Sequence, residues 1–308
     1  MRVFVAGASG ALGRRLVTRL VGAGHEVTGT FRSAGHGDRV SALGAEPVQL
    51  DLLNAAAVAE AVRRAEPDAI VHQATALAGA RFGRSLDRTF VGTNQLRTAG
   101  TDALVAAAQG VGVRRIIAQS FAPYRYAHVG GPVKSEQDPL EQNPPAPVRQ
   151  TFAAMNHLDD TVTRAGGISL RYGLFYGDTD ETTENGMLNP IRKRRYPVIG
   201  DGGGIVSFVH LDDAAAATAL ALEWDGSGVF NIVDDEPAAM RDWVPFLARV
   251  LGAPPPRRIP LWLATVFAGG MASLLSSCRG ASNALAKEQL GWAPGCPTWR
   301  MGFPAAYG

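Results

Sequence analysis

Cysteine is nearly missing from this chain: Cys278 and Cys296 are the only two among 308 residues, and neither stands in a Cys-x-x-Cys or Cys/His spacing. That argues against a disulfide framework and against a zinc site, so no metal is expected and a reducing cytoplasm is the expected setting. Charge is also sparse, at 19% of residues with a net of +2, and Arg192-Lys193-Arg194-Arg195 is the one dense basic tract. Nucleic acid, which needs a broad basic face, is not an expected partner. No leader is expected, because the first apolar strand begins at residue 2 or 3. Long uncharged runs are confined to Ile259–Cys278, where Pro260, the Gly269-Gly270 pair and several serines weaken a membrane span. A buried element is expected there, and no membrane partner. What is abundant is ordinary: 46% hydrophobic residues, enough for one large α/β domain and a smaller subdomain.

The informative stretch is Val3-Phe4-Val5-Ala6-Gly7-Ala8-Ser9-Gly10-Ala11-Leu12-Gly13-Arg14-Arg15-Leu16, where an apolar run breaks into glycines and resumes with helical spacing. It predicts a strand, a tight turn and a helix N-terminus. In that G-x-x-G-x-x-G, Gly7 allows the turn, Gly10 lets a pyrophosphate approach the backbone, and Gly13 lets the helix lie close on the sheet. Free amides at the helix start then attract phosphate.

Strand-like and helical runs alternate through the first half, the pattern of βαβ units closing on a parallel sheet. Strands are predicted at Glu26–Phe31, Pro47–Leu50, Asp68–His72 and Arg114–Gln119, and helices at Asn54–Ala65 and over a long segment, Ser85–Gln109. Arg32 ends the second strand where an NAD site would carry an acid, and an arginine there can pair with a 2′-phosphate. NADP (NADPH) is therefore expected over NAD. Asp51, past the third strand, can accept from an adenine amino group or cap the following helix. The expected cofactor contacts are Gly7, Ser9, Gly10, Ala11, Leu12, Gly13, Arg32, Asp51, Leu52, Gln73, Ala74, Thr75, Asn94 and Tyr172.

Further motifs stand in order: Ile70-Val71-His72-Gln73-Ala74, Ser120, Leu170-Arg171-Tyr172-Gly173-Leu174-Phe175-Tyr176-Gly177, Phe208-Val209-His210-Leu211-Asp212-Asp213, Phe230-Asn231-Ile232 and Leu290-Gly291-Trp292-Ala293-Pro294. With the glycine turn, they make the chain resemble, over nearly its whole length, an extended short-chain dehydrogenase/reductase of the NAD-dependent epimerase/dehydratase superfamily. The resemblance implies a doubly wound parallel Rossmann sheet with a small discontinuous substrate-binding subdomain. The division expected is 1–177 plus 206–233 for the cofactor and 178–205 plus 234–308 for the substrate. The family's chemistry uses a serine after the strand, matched by Ser120, and a Tyr-x-x-x-Lys pair on the next helix, where the lysine lowers the tyrosine pKa. Here Thr151-Phe152-Ala153-Ala154-Met155-Asn156 supplies neither in either register: Thr151 with Met155, or Phe152 with Asn156. Tyr124 is the first substitute acid and His128, with the pKa best suited to proton transfer at neutral pH, the second; Tyr126 lies on the same loop, and Tyr176 is a more distant option.

The second half is expected to build the substrate side. Asn185-Gly186 reads as a turn, Asp212-Asp213 as the cap of an alanine-rich helix, and Met240–Leu251 as a helix. The expected activity is an NADP(H)-dependent oxidoreductase acting on a small or medium, fairly apolar organic molecule, with Ser120 orienting the reacting oxygen. The alternatives are a redox-neutral isomerase, epimerase or cyclase that retains the cofactor, and a non-catalytic NADP(H) sensor. A homodimer is left open.

Overall fold

The computed structural model describes residues 1–78, 80, 84–178 and 184–308. Residues 179–183, part of the expected substrate-side insertion, lie outside that set. At the centre is a seven-stranded sheet made of β1 (Arg2–Ala6), β2 (Glu26–Phe31), β3 (Glu46–Gln49), β4 (Ala69–His72), β5 (Arg115–Phe121), β6 (Ile168–Tyr172) and β7 (Gly228–Ile232). Its order is β7-β6-β5-β4-β1-β2-β3, every pairing is parallel, and the order reverses at β1. That reversal opens a crevice at the carboxyl ends of the strands, where ligands bind in such sheets.

Helices cover both faces because β1, β4 and β6 are buried on both sides. On one face α1 (Ala11–Gly22) and α5 (Leu211–Glu223) bury Leu16, Leu20, Ala217 and Leu222. On the other, α2 (Ala55–Ala65), α3 (Thr101–Gly110) and α4 (Arg149–Arg164) bury Val58, Leu104 and Leu158. A third core gathers Phe208, Trp299 and Phe303 with α6 (Met240–Val250). The run containing α9 (Ala284–Leu290) and Trp292, placed by the sequence division on the substrate side, packs into the first core instead.

Several segments differ from their sequence reading. The long helix expected over 85–109 is broken into Leu86–Thr89, Val91–Gln95, a π turn at Leu96–Gly100, and α3. The π turn has a tertiary cause, since the Leu96 carbonyl accepts from His72 Nε2 (3.2 Å) and Thr101 Oγ1 (3.4 Å) and so leaves the regular ladder. Asn185-Gly186 lies in a helical turn, Glu184–Leu188, rather than a reverse turn. The apolar run Ile259–Cys278 is not one buried element. It forms α7 (Leu261–Ala268) and α8 (Gly270–Ser277), broken at Gly269 (φ 56°, ψ −138°), and α7 leaves Trp262 69%, Val266 62% and Phe267 67% exposed. No helix among the described residues is long and apolar enough to cross a membrane.

Candidate active site

The glycine turn divides its work among three residues. A Cβ on Gly7 (φ +91°) would lie 2.7 Å from the Ala74 backbone, and one on Gly13 would lie 2.1 Å from the Gly7 carbonyl oxygen. At Gly10 the nearest atom would be 3.4 Å away, so that glycine keeps the outer face of the turn clear. Gly10 is also the N-cap of α1 and offers no capping side chain, which leaves the first amides of a twelve-residue helix open. Open amides at a helix start behind a clear turn are the geometry that suits a dinucleotide pyrophosphate. Ala11 is half-buried behind the turn and Leu12 is in the core, while the Ser9 carbonyl accepts from Arg14 Nη1 (3.2 Å).

The neighbouring positions are more varied. Arg32 is exposed just past β2, and neither its side chain nor that of Arg39 nearby has an ion pair among the described residues. Arg15, by contrast, is engaged by Asp212 (2.8 Å) and Asp178 (3.3 Å). Asp51 makes a turn by accepting from the Leu53 amide (3.0 Å), whereas Asn54 caps α2 through the Ala57 amide (3.1 Å). The capping reading of Asp51 is therefore replaced by Asn54, and Leu52 is buried in the second core. His72 accepts from the Ala74 amide through Nδ1 (3.3 Å) and donates to Leu96 through Nε2; burial lowers its pKa to about 4, so it is neutral and pins the Gln73–Thr75 corner. Thr75 is exposed at that corner. Gln73 Oε1 and Asn94 Oδ1 are buried acceptors with no partner among the described residues, open to a donor from a bound group. Tyr172 does not open on this turn: its hydroxyl meets Thr218 (2.6 Å) and Gln73 (3.4 Å) in the core, and burial pushes it up to about 12.

The three catalytic candidates share no hydrogen bond with one another among the described residues. Ser120 is 1% exposed, and its hydroxyl accepts from Arg125 Nη1 (3.0 Å). Arg125 also reaches Asn156 (2.6 Å) and Asp159 (2.8 Å), and Asp159 holds Arg171 (2.9 Å) and Ser169 (2.6 Å). Burial alone would raise the Asp159 pKa, but the two guanidiniums hold it at about 2. Ser120 thus belongs to a buried ionic network rather than to the surface of the crevice. Tyr124 has a strained backbone (φ +71°) and stands where two apolar clusters meet, its ring 6.2 Å from Phe121. Burial raises its phenol well above the ordinary tyrosine value. His128 is exposed on the rim, its Nε2 3.5 Å from Ser277 of α8.

The positions of the absent pair are filled. Thr151 donates its hydroxyl to Asp87 Oδ1 (2.7 Å) and accepts from Asn94 Nδ2 (3.1 Å), while Asp87 also takes the Gln150 and Thr151 amides at the start of α4 (3.0 and 2.7 Å). Met155 is 1% exposed among Phe90, Phe152 and Met271, with Leu77, Phe121 and Tyr124 packed on. The sequence reading missed Asp87, Arg125 and Asp234. Asp234 follows β7 and is 2% exposed; neither carboxylate oxygen has a well-formed hydrogen bond among the described residues, and burial raises its pKa to about 8. Asp213 does not cap α5: His210 takes the Asp212 amide (3.3 Å), and the Asp213 carboxylate accepts from Gly295 (2.8 Å) and Cys296 (2.9 Å), tying the C-terminal segment to the sheet.

The profile of the NAD dependent epimerase/dehydratase family matches residues 3–233. The chain belongs to this family. A Streptomyces protein named 3-diazoavenalumate denitrifying reductase is 39% identical over 308 residues, covering 98% of this chain and 99% of that one. The 2-alkyl-3-oxoalkanoate reductase of Stenotrophomonas maltophilia (strain K279a) is 29% identical over 264 residues, covering 82% of this chain and 77% of that one. Among solved structures, the UDP-glucose 4-epimerase of Thermus thermophilus in complex with NAD is 24% identical with a TM-score of 0.75, covering 100% of this chain and 98% of that one. A human epimerase family protein with NADPH is 18% identical with a TM-score of 0.73, covering 100% and 99%. Like its reductase relatives, this member of the epimerase/dehydratase family is an oxidoreductase, and its cofactor is a nicotinamide dinucleotide.

Proposed function

We propose that this epimerase/dehydratase-family enzyme is an NADPH-dependent reductase for an electrophile whose reduction leaves no alkoxide to protonate, a diazo-bearing organic substrate being the class that fits best. The observation that carries this is the filling of the proton-relay positions: Thr151 is fastened to Asp87 and Asn94, and Met155 is buried among apolar side chains. A ketone reduced by hydride must gain a proton on oxygen. In an arenediazonium, the hydride pair forms the new C–H bond, the C–N pair departs with dinitrogen, and no proton is consumed. The name of the Streptomyces relative, a denitrifying reductase of a diazo compound, supports the same class.

NADPH, when bound, supplies the hydride. The open amides of α1 and the clear face at Gly10 hold its pyrophosphate, and the Arg32 guanidinium pairs with the 2′-phosphate. Phe121, Tyr124 and Met155 form an apolar wall that excludes water. The Tyr124 hydroxyl is the group available to orient a polar substituent. The free thiols Cys278 and Cys296 suit a reducing cytoplasm.

The test is anaerobic incubation with NADPH and an arenediazonium carboxylate. One NADPH oxidised per dinitrogen released is expected, with deuterium from C4-labelled NADPH in the new C–H bond. Product formed without NADPH consumption would point to redox-neutral chemistry, and reduction of a 3-oxoacid with the diazo compound untouched would overturn the proposal. Separately, Arg32→Asp is expected to weaken NADPH at least about tenfold more than NADH, a fluorescence titration reading the loss of a charge-assisted phosphate contact.

A further inference from the structure

Two features of the sequence take no part in the reductase site, and the fold brings them together. The basic run Arg192–Arg195 leads into the short strand Val198–Ile199, which pairs in parallel with Arg258–Ile259 immediately before α7. Arg194 Nε donates to the Pro255 carbonyl (2.8 Å), and the Val198 and Gly200 amides donate to Arg257 and Ile259 (2.9 Å each). The exposed apolar helix α7 is therefore fastened beside a basic turn. On the helix Leu261, Trp262, Val266 and Phe267 are all exposed, at 41–69%. Around it Lys193, Arg194, Arg195, Arg257 and Arg258 are basic and largely exposed, and Arg84 reaches the far end through the Val266 carbonyl (2.9 Å). The acids nearby include Glu184, paired with Arg192, and the exposed Asp201 and Asp242, so the six basic side chains outnumber them and the rim is cationic.

We propose that α7 and its basic rim dock this enzyme on the surface of an anionic lipid bilayer. A short helix with tryptophan and phenylalanine exposed and cations around it matches an interfacial anchor: the rings enter the headgroup boundary while arginines meet lipid phosphates. Eight residues are too few to span, so the contact is peripheral. A second copy of the chain fits less well, because a two-fold contact through α7 would set one basic rim against the other.

Trp262 is also a built-in reporter, since Trp243, Trp292 and Trp299 are buried and Trp224 is half-buried. The full-length protein would be mixed with phosphatidylcholine vesicles with and without phosphatidylglycerol, reading co-sedimentation and tryptophan emission. Binding and a blue shift are expected only with phosphatidylglycerol, weakening as salt rises. The Trp262→Ser/Phe267→Ser double variant should lose the shift and at least about tenfold in binding, and Lys193→Ser/Arg195→Ser should lose binding at low salt. Both should keep the parent melting temperature and NADPH affinity, since they alter exposed side chains. The proposal is overturned if vesicles fail to bind, if the double variant binds as well as the parent, or if the apolar face instead drives self-association that the double variant abolishes. None of these readouts depends on the diazo reaction.

Discussion

In the register that sets Asp159 at the family's acidic position Met155 stands at the lysine position, and its surroundings explain why a lysine cannot simply be returned. The side chain is 1% exposed within an apolar cluster, so Met155→Lys would bury an ammonium among apolar side chains. We predict a loss of about 3 kcal/mol or more, read from the urea midpoint, unless the lysine gives up its proton. Asp234 poses the complementary case. Its folded pKa of about 8 stands above the ordinary 3.8, so between those values the folded state keeps a proton that the unfolded state releases. Stability from this group is therefore complete below the ordinary value and is lost as pH rises through about 8. Asp234→Asn should match the parent melting temperature near pH 4 and exceed it near pH 8, as measured by calorimetry; a constant offset would contradict the buried, protonated carboxyl.

At the level of elements, what could be read from sequence was what local periodicity and turn chemistry dictate. β2 was legible to the residue, and the glycine turn, α2 and α6 nearly so, because each carries its own pattern. The breaks in the 85–109 segment were not, since the π turn depends on His72 from another strand. Ser120 looked catalytic by its place at the end of β5, but its partner Arg125 comes from the loop and Asp159 from α4, contacts that no local pattern encodes. The turn itself yields a paired prediction. Gly13→Ala puts a Cβ 2.1 Å from the Gly7 carbonyl and should cost about 1–3 kcal/mol or more, seen as a lowered melting temperature. Gly10→Ala meets no protein atom closer than 3.4 Å, so it should leave the apo melting temperature unchanged while weakening NADPH in a fluorescence titration.

For the molecule as a whole, the sheet's first core is closed by a segment far away in sequence. Trp292 is 1% exposed there, and its indole donates to the Asp213 carbonyl (3.0 Å). Asp213 in turn clasps the Gly295 and Cys296 amides. Trp292→Ala should cost about 3–5 kcal/mol, and hydrogen exchange should rise in α5 as well as around residue 292 if the clasp joins the two regions. The same clasp bears on the order in which the chain is made. The cofactor cradle is complete in sequence once β7 has left the ribosome, yet the apolar face between α5 and β7 still waits for residues 284–292. During that interval a nascent chain able to grip nucleotide carries an uncovered hydrophobic surface, so early cofactor capture and chaperone contact would compete for one half-finished molecule.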